Sequence, residues 1–275
     1  MSPTDLPAHP PEEALSGGNT SVVVRVGDTV RRTAGPWTPT VHALLNHLHN
    51  NGFGDCPQPL GIDEQGREVL RYVPGEVGTL GEEAPLAAWF DSVEAITQIG
   101  GWLRRFHDAQ AGFVPDPALP WRVVPGRVLR SSEVICHHDV SSYNTVRRPD
   151  GGLTVLDWDF ARPGDPLEDL AWVAWRWVPL FAGPDLRRMG VGREQDLGLA
   201  ARKLVALLDA YGATPEQRAQ VLPSVRERML GHAHDLERLA QDDPAFAALV
   251  EQGYAADARR DAAWLAVHER GLGPA

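Results

Sequence analysis

The stretch 135-ICHHDVSSYNTV-146 sets His137, His138 and Asp139 at the end of an apolar run, with Asn144 five positions past the aspartate. A second acidic pair, Asp157 and Asp159, follows in 153-LTVLDWDFA-161. A metal site, a buried polar cluster and a phosphate-moving catalytic loop could each be built from the first stretch alone. The spacing to the second tips the reading towards the last. The segment between Asn144 and Asp157 reads as a hairpin turning at Asp150-Gly151-Gly152, which folds Asp157 back towards Asn144. Transfer of a γ-phosphoryl group asks little covalent help of a protein. It needs a carboxylate to take the proton of the attacking hydroxyl, a divalent metal across the phosphates and a cation on the nucleotide. Read as such machinery, Asp139 would be the carboxylate, and Asn144 and Asp157 the oxygen ligands for Mg²⁺, a hard ion that prefers them.

Working outward, residues 1–11 are proline-rich and expected to be a disordered tail. The run 20-TSVVVRVGDTVRRTA-34 reads as two strands joined at Gly27-Asp28. In 38-TPTVHALLNHLHNNG-52, Thr38 is expected as N-cap, Pro39 suits the first turn, and Val41, Leu44, Leu45 and Leu48 form one apolar face of a helix. The run 58-QPLGIDEQGREVLRYVPG-75 reads as a second hairpin, turning at Asp63–Gly66. From about residue 85 the pattern becomes helical. Ile96, Ile99, Leu103 and Phe106 stripe one face, and helices are expected in 165–177, 195–212 and 214–265. The expected fold class is α+β, with an N-terminal nucleotide-binding lobe over 12–76 and a larger helical lobe over 77–275 that holds the catalytic loop and the substrate site.

The 275 residues are 43% apolar, enough for a large core, and carry a formal net charge of −11. That charge argues against a nucleic-acid binder, whose affinity rests on clustered cations. Two cysteines, Cys56 and Cys136, make no disulfide framework. No signal peptide is visible in the first residues, and no apolar run reaches the roughly 20 residues that span a bilayer, so neither is expected. The expected setting is cytoplasmic, away from membranes. Of the basic residues only Lys203 is a lysine, so cationic chemistry falls to arginine. No G-x-x-x-x-G-K-[ST] occurs, which removes P-loop enzymes.

The motif 137-HHDVSSYN-144, followed by 155-VLDWDFARPGDPLEDLAW-172, resembles the aminoglycoside phosphotransferase/choline kinase-like family, whose catalytic loop keeps the protein-kinase order His-x-Asp-x-x-x-x-Asn. The runs 15-LSGGNTSVVVRVGDTVRR-32 and 68-EVLRYVPGEV-77 resemble that family's nucleotide-loop strands and inter-lobe hinge. The resemblance covers residues 15–179. It implies a bilobal protein kinase-like fold and transfer of phosphate from ATP or GTP, with Mg²⁺, to a small-molecule hydroxyl. An aminoglycoside-like antibiotic or other amino alcohol is the leading acceptor. It also implies Asp139 as catalytic base, Asn144 and Asp157 as metal ligands, and Gly17, Gly18, Arg71, Tyr72 and Val73 around the nucleotide. Asp169 is expected to brace the loop through backbone hydrogen bonds, and His137 to be a brace rather than a base.

Two departures stand out. The strand that should carry a lysine offers Arg31 or Arg32. Alternation favours Arg31 on the cleft side, because Val30 then faces the packed helix. The helix that should offer a glutamate has none, with Val41 at the corresponding position. Asp159 is read as a solvated aspartate in preference to a second metal ligand, His42, His47 and His49 as exposed, and Trp172, Trp175 and Trp177 as core. Asp235, Glu237, Asp257 and Asp261 fit a cationic-substrate pocket and a solvated helix face equally well. Two rival readings are a nucleotide-binding pseudokinase or regulatory module and a metal-dependent hydrolase using the His-His-Asp and Asp-x-Asp clusters.

Overall fold

Runs of β-branched residues broken by glycine turns build the first part of the chain. The computed structural model describes residues 11–15, 23–78, 86–188, 190, 191 and 194–273. Strands β1 (Glu12–Ala14), β2 (Val23–Val26) and β3 (Thr29–Thr33) precede helix α1 (Thr38–Asn50), and β4 (Pro59–Ile62) and β5 (Arg67–Arg71) follow it. They form one antiparallel sheet in the order β1-β2-β3-β5-β4. The β2–β3 turn takes Gly27 at φ 63°, a conformation that costs a glycine little. Apart from Pro11, the expected tail lies outside the described residues, as do Gly17 and Gly18.

Helix α1 starts one residue earlier than expected. Thr38 is helical rather than capping, and its hydroxyl accepts the Gly35 N–H at 2.9 Å. The apolar face is as read, with Val41, Leu44, Leu45 and Leu48 all at most 2% exposed. That face joins the same core as the C-terminal helices, so the sheet region has no separate interior.

The chain then leaves the first sheet. Strand β6 (Glu76–Val77) pairs with β8 (Thr145–Arg147), which pairs with β9 (Leu153–Val155). Between β6 and β8 come helix α2 (Val93–Ala109) and β7 (Val134–Cys136). Ser92 caps α2, and its expected stripe of Ile96, Ile99, Leu103 and Phe106 is fully buried. Strand β10 (Arg162–Gly164) pairs with β7. Helix α3 (Pro166–Trp177) follows at once behind a capping box of Asp165 and Glu168. Helices α4 (Gly183–Arg188), α5 (Leu197–Tyr211), α6 (Pro215–Leu239), α7 (Pro244–Glu251) and α8 (Tyr254–His268) complete the larger part. Helix α5 lies close on α2: a Cβ on Gly100 would meet the Leu207 carbonyl oxygen at 2.9 Å. Trp172, Trp175 and Trp177 are core, as read. The result is a small N-terminal sheet region and a larger helical part.

Candidate active site

The loop after β7 is held from three sides. Behind it, the Gln110 side chain at the end of α2 mimics a neighbouring strand. Its Nε2 donates to the Ile135 carbonyl at 2.7 Å, and its Oε1 accepts the Ile135 N–H at 2.6 Å. From α3, Asp169 accepts the N–H groups of His137 at 2.8 Å and His138 at 2.7 Å, which is the expected brace. Burial alone would push this carboxyl up. The hydrogen bond from His107 and the surrounding imidazoles outweigh burial and hold it well below the usual carboxylate range. Trp172 and Trp177, also on α3, donate their indole N–H groups to Ser141 Oγ at 3.1 Å and to the Val140 carbonyl at 3.0 Å.

His137 does not face the reaction. Its Nδ1 accepts the Asp139 N–H at 3.2 Å, so the proton sits on Nε2, which meets the Leu156 carbonyl at 3.1 Å. Burial lowers its pKa, and the neutral ring ties the loop to β9. His138 is held at φ 65° and Asp157 at φ 57°, the two described non-glycine residues in the left-handed region. Both flank the candidate chemistry, as strained residues at functional sites do.

Asp139 projects into the cleft between the sheet region and the helical part. Its carboxylate accepts from Ser141 Oγ, Tyr143 Oη and Asn144 Nδ2, each at 2.9 Å. Burial first, and the Asp157 carboxylate second, push its pKa up to about 6. The β8–β9 register, Thr145 opposite Val155, brings Asn144 level with Leu156 and next to Asp157, and the Leu156 N–H donates to the Asn144 carbonyl at 2.6 Å. The Asn144 amide nitrogen is committed to Asp139, and Asn144 and Asp157 line the same cleft. This pair of hard oxygen donors fits Mg²⁺.

The cation above this pair is Arg32, which corrects the expectation of Arg31. Arg32 donates to Asp157 Oδ1 at 2.9 Å, to Asp159 Oδ1 at 2.5 Å and to Glu68. Arg31 lies on the opposite face, bonded to Thr29 Oγ1 at 2.5 Å and 3.4 Å from Asp63. The alternation argument took the cleft and the helix-packed side of β3 to be different faces. They are one face: Val30 and Arg32 line the cleft, and Arg32 stands directly opposite Glu68 on β5, where His42 of α1 meets the same carboxylate at 2.8 Å. The missing helix glutamate is therefore replaced from the sheet, by Glu68 at 1% exposure. Burial would raise the Glu68 pKa, but the His42 hydrogen bond and Arg32 hold it low. His42 is accordingly not a free surface histidine. Nor is Asp159 a solvated aspartate, since it bridges Arg32 and Arg122 and is only 13% exposed.

The cleft as a whole, about 390 Å³, has two sides. On the sheet side Leu15, Val23, Val30, Leu70, Val146 and Leu156 make an apolar slot that ends at Tyr72 and Val73. Arg71 reaches the slot, but its charge is spent outside on Asp28 at 3.0 Å, and the Tyr72 N–H already donates to the Asp28 carbonyl at 2.8 Å. On the helical side lie Arg162, Arg176 and Arg228, which sequence reasoning did not single out. Glu68, Ser141, Tyr143 and Gln110 were also missed. Only Tyr143, four residues after Asp139, carried a local signal.

Among the described residues, one group of three metal-capable side chains gathers: His107, Cys136 and Asp169. It is fully buried behind the loop, and Asp169 is already occupied there by two backbone N–H groups.

Residues 118–190, which hold the loop, the hairpin and α3, match the model of the phosphotransferase enzyme family. A trifolitoxin immunity protein from Rhizobium leguminosarum bv. trifolii is 37% identical over 210 residues, 75% of this chain and 76% of that one. The chain belongs to the phosphotransferase enzyme family. The phosphotransferase has the fold of a choline/ethanolamine kinase family protein from Mesorhizobium loti (TM-score 0.60, 21% identity, 96% of this chain and 92% of that one). It also has the fold of an aminoglycoside 2'-phosphotransferase-IIIa solved as a GDP complex (TM-score 0.57, 17% identity, 94% of each chain). Membership of the family makes it a small-molecule phosphotransferase with a hydroxyl acceptor. No helix among its described residues is long and apolar enough to cross a membrane.

Proposed function

We propose that this phosphotransferase moves the γ-phosphoryl group of ATP or GTP, with Mg²⁺, to a hydroxyl of an antibiotic-like small molecule. One observation carries the reading: a half-buried carboxylate, Asp139, is hydrogen-bonded to Asn144 in the cleft that Asp157 also lines, beside an arginine fixed by three acids. In this reading Asn144 and Asp157 would hold the metal, whose positive charge would offset that of the phosphates. Asp139 orients the acceptor hydroxyl and takes its proton, its raised pKa making it a better base than a free aspartate. Arg32 supplies the phosphate-facing cation, and the apolar slot ending at Tyr72 and Val73 takes the base of the nucleotide. Support for an antibiotic-like acceptor comes from the relative named for trifolitoxin immunity and the fold neighbour named for an aminoglycoside.

The test is nucleotide consumption with ATP and with GTP, with and without Mg²⁺, across aminoglycosides, macrolides, choline and amino acids, in wild type and Asp139→Ala. Acceptor-stimulated turnover that needs both Mg²⁺ and Asp139 is the expected result. Tight Mg-nucleotide binding with no turnover dependent on Asp139 would favour the pseudokinase reading instead.

A further inference from the structure

On the helical side of the cleft the charges close on themselves. Of the described acids that line the cleft, Asp139 and Asp157 belong to the candidate chemistry, and the third is Asp235. Asp235 lies between two guanidiniums, 4.0 Å from Arg162 and 3.9 Å from Arg238. The lining arginines are matched in turn. Arg162 and Arg228 face Glu168 and Asp169 as well as Asp235, and Arg176 faces Asp139. Arg228 also donates through Nη2 to the His138 carbonyl at 3.2 Å, and Arg176 stacks over Trp175 at 4.1 Å. His138 lines the cleft with a ring that burial keeps uncharged. A smaller hollow shares Arg176, His232 and Tyr254 with the cleft and adds Asp185, Asp257 and Asp261. These acids are engaged too. Arg260 bonds Asp185 at 2.9 Å and Asp257 at 2.5 Å, while the two Asp261 oxygens accept the Trp175 indole N–H at 3.0 Å and the Ala182 N–H at 2.7 Å.

The remaining lining of this side is apolar. Phe160 follows Asp159, Leu236 and Leu239 come from α6, Phe246 and Leu249 from α7, and Tyr254 opens α8. Phe160 and Phe246 meet edge to face with their ring centres 6.1 Å apart, and the Arg122 guanidinium lies 5.1 Å from the first ring and 5.4 Å from the second. The charge of Arg122 is taken by Asp159 at 3.3 Å and Asp243 at 3.8 Å, so it braces the wall and adds no charge to it. An ammonium or a carboxylate seated here would give up its hydration and find each opposite charge already matched. An uncharged body would remove apolar surface from water on both partners. Resting on the phosphotransferase reading above, we propose that the acceptor is a hydroxyl compound with an uncharged, apolar body that packs on the α6–α7 wall while its hydroxyl meets Asp139. This replaces the amino alcohol expected from sequence.

A matched set of small alcohols tests it: hydrocinnamyl alcohol (neutral), phenylalaninol (cationic), phenyllactate (anionic) and propanol (no ring). Each is titrated by NMR into protein saturated with Mg²⁺ and a non-hydrolysable ATP analogue, which keeps the ring out of the nucleotide slot. Hydrocinnamyl alcohol is expected to bind about tenfold or more tighter than each of the others. Leu239→Glu and Leu249→Glu each place a carboxylate on the wall. In them the advantage over phenylalaninol is expected to fall to within about twofold of unity, with the affinity for the analogue kept. Phenylalaninol, phenyllactate or propanol binding wild type as well as hydrocinnamyl alcohol overturns the proposal, as does the absence of binding by the whole set. So does an unchanged ratio in a variant that still binds the analogue, because the ring then sits elsewhere. If neither variant folds, the ranking in wild type decides alone. If the analogue itself fails to bind wild type, the phosphotransferase reading falls and takes this inference with it. If it binds and turnover depends on Asp139, a missing preference for the neutral ring sinks the acceptor inference alone.

Discussion

Arg31 and Arg32 are adjacent, identical in chemistry and opposite in role. Arg32 is held by Glu68, Asp157 and Asp159, while Arg31 serves the outer face of the sheet. Arg32→Met is expected to weaken Mg-nucleotide binding by about tenfold or more and to destabilise the fold, because it strands Glu68 without its guanidinium. Arg31→Met should leave the nucleotide Kd within about twofold in the same calorimetric titration. Asp139 makes a second prediction at this scale. Its pKa is about 6 in the folded protein, against an ordinary value of 3.8, so the folded state binds the extra proton and loses stability as pH rises through that window. Ionised Asp139 therefore costs the fold on the order of 2–3 kcal/mol at pH 8. In metal-free protein, Asp139→Asn should raise Tm at pH 8, with the gain vanishing below about pH 4, while acceptor-dependent turnover drops by about 10²–10⁴-fold. Sequence could tell that the two arginines point to opposite faces. It could not tell which face is the cleft, since that depends on where α1 packs, and the contact between His42 and Glu68 is what shows α1 on that side.

At the scale of elements, the hairpins and helices were legible because their turns and caps are local chemistry. The turns at Gly27-Asp28, Asp63–Gly66 and Asp150–Gly152 fall where the sequence puts them. What holds those elements together was less legible. The pairing of Gln110 with Ile135 joins the end of a helix to the edge of a strand and has no periodicity to betray it. Asp169 was legible only through its motif. Its loss is expected to be costly: Asp169→Asn confronts one of two loop N–H groups with another donor, for about 2–4 kcal/mol in denaturant unfolding. Because this carboxyl sits below its usual range in the folded state, its contribution is complete above about pH 4 and fades as the solution becomes more acidic. Gly75 is a third element-scale test. It sits at φ 151°, and a Cβ there would meet the Arg147 carbonyl oxygen at 2.3 Å, where β6 joins β8. Gly75→Ala should force these two strands apart and lower Tm, measurable by calorimetric scanning.

On the scale of the whole molecule, one core runs from α1 through the C-terminal helices, so a ligand that bridges the cleft stabilises a single cooperative body. Mg-nucleotide at about a hundred times its Kd should contribute about 2.7 kcal/mol and raise Tm by about 5–10 °C. Asp139→Asn should keep that shift and Asp157→Asn should lose its Mg²⁺-dependent part, both read by thermal shift. The bilobal plan was legible from the order of strands and helices, but the arginines on the helical side of the cleft were not. Arg162 and Arg176 come from a strand and the helix that follows it, Arg228 comes from α6, and only folding brings the third to the other two. The lone lysine belongs to this scale as well. Lys203 has no exposed surface, and its ammonium donates to Asp91 Oδ1 at 2.8 Å within the helical core. An acylating reagent aimed at side-chain amines thus finds no target on the native protein, and the speed at which Lys203 becomes labelled is a clock for how often that interior opens.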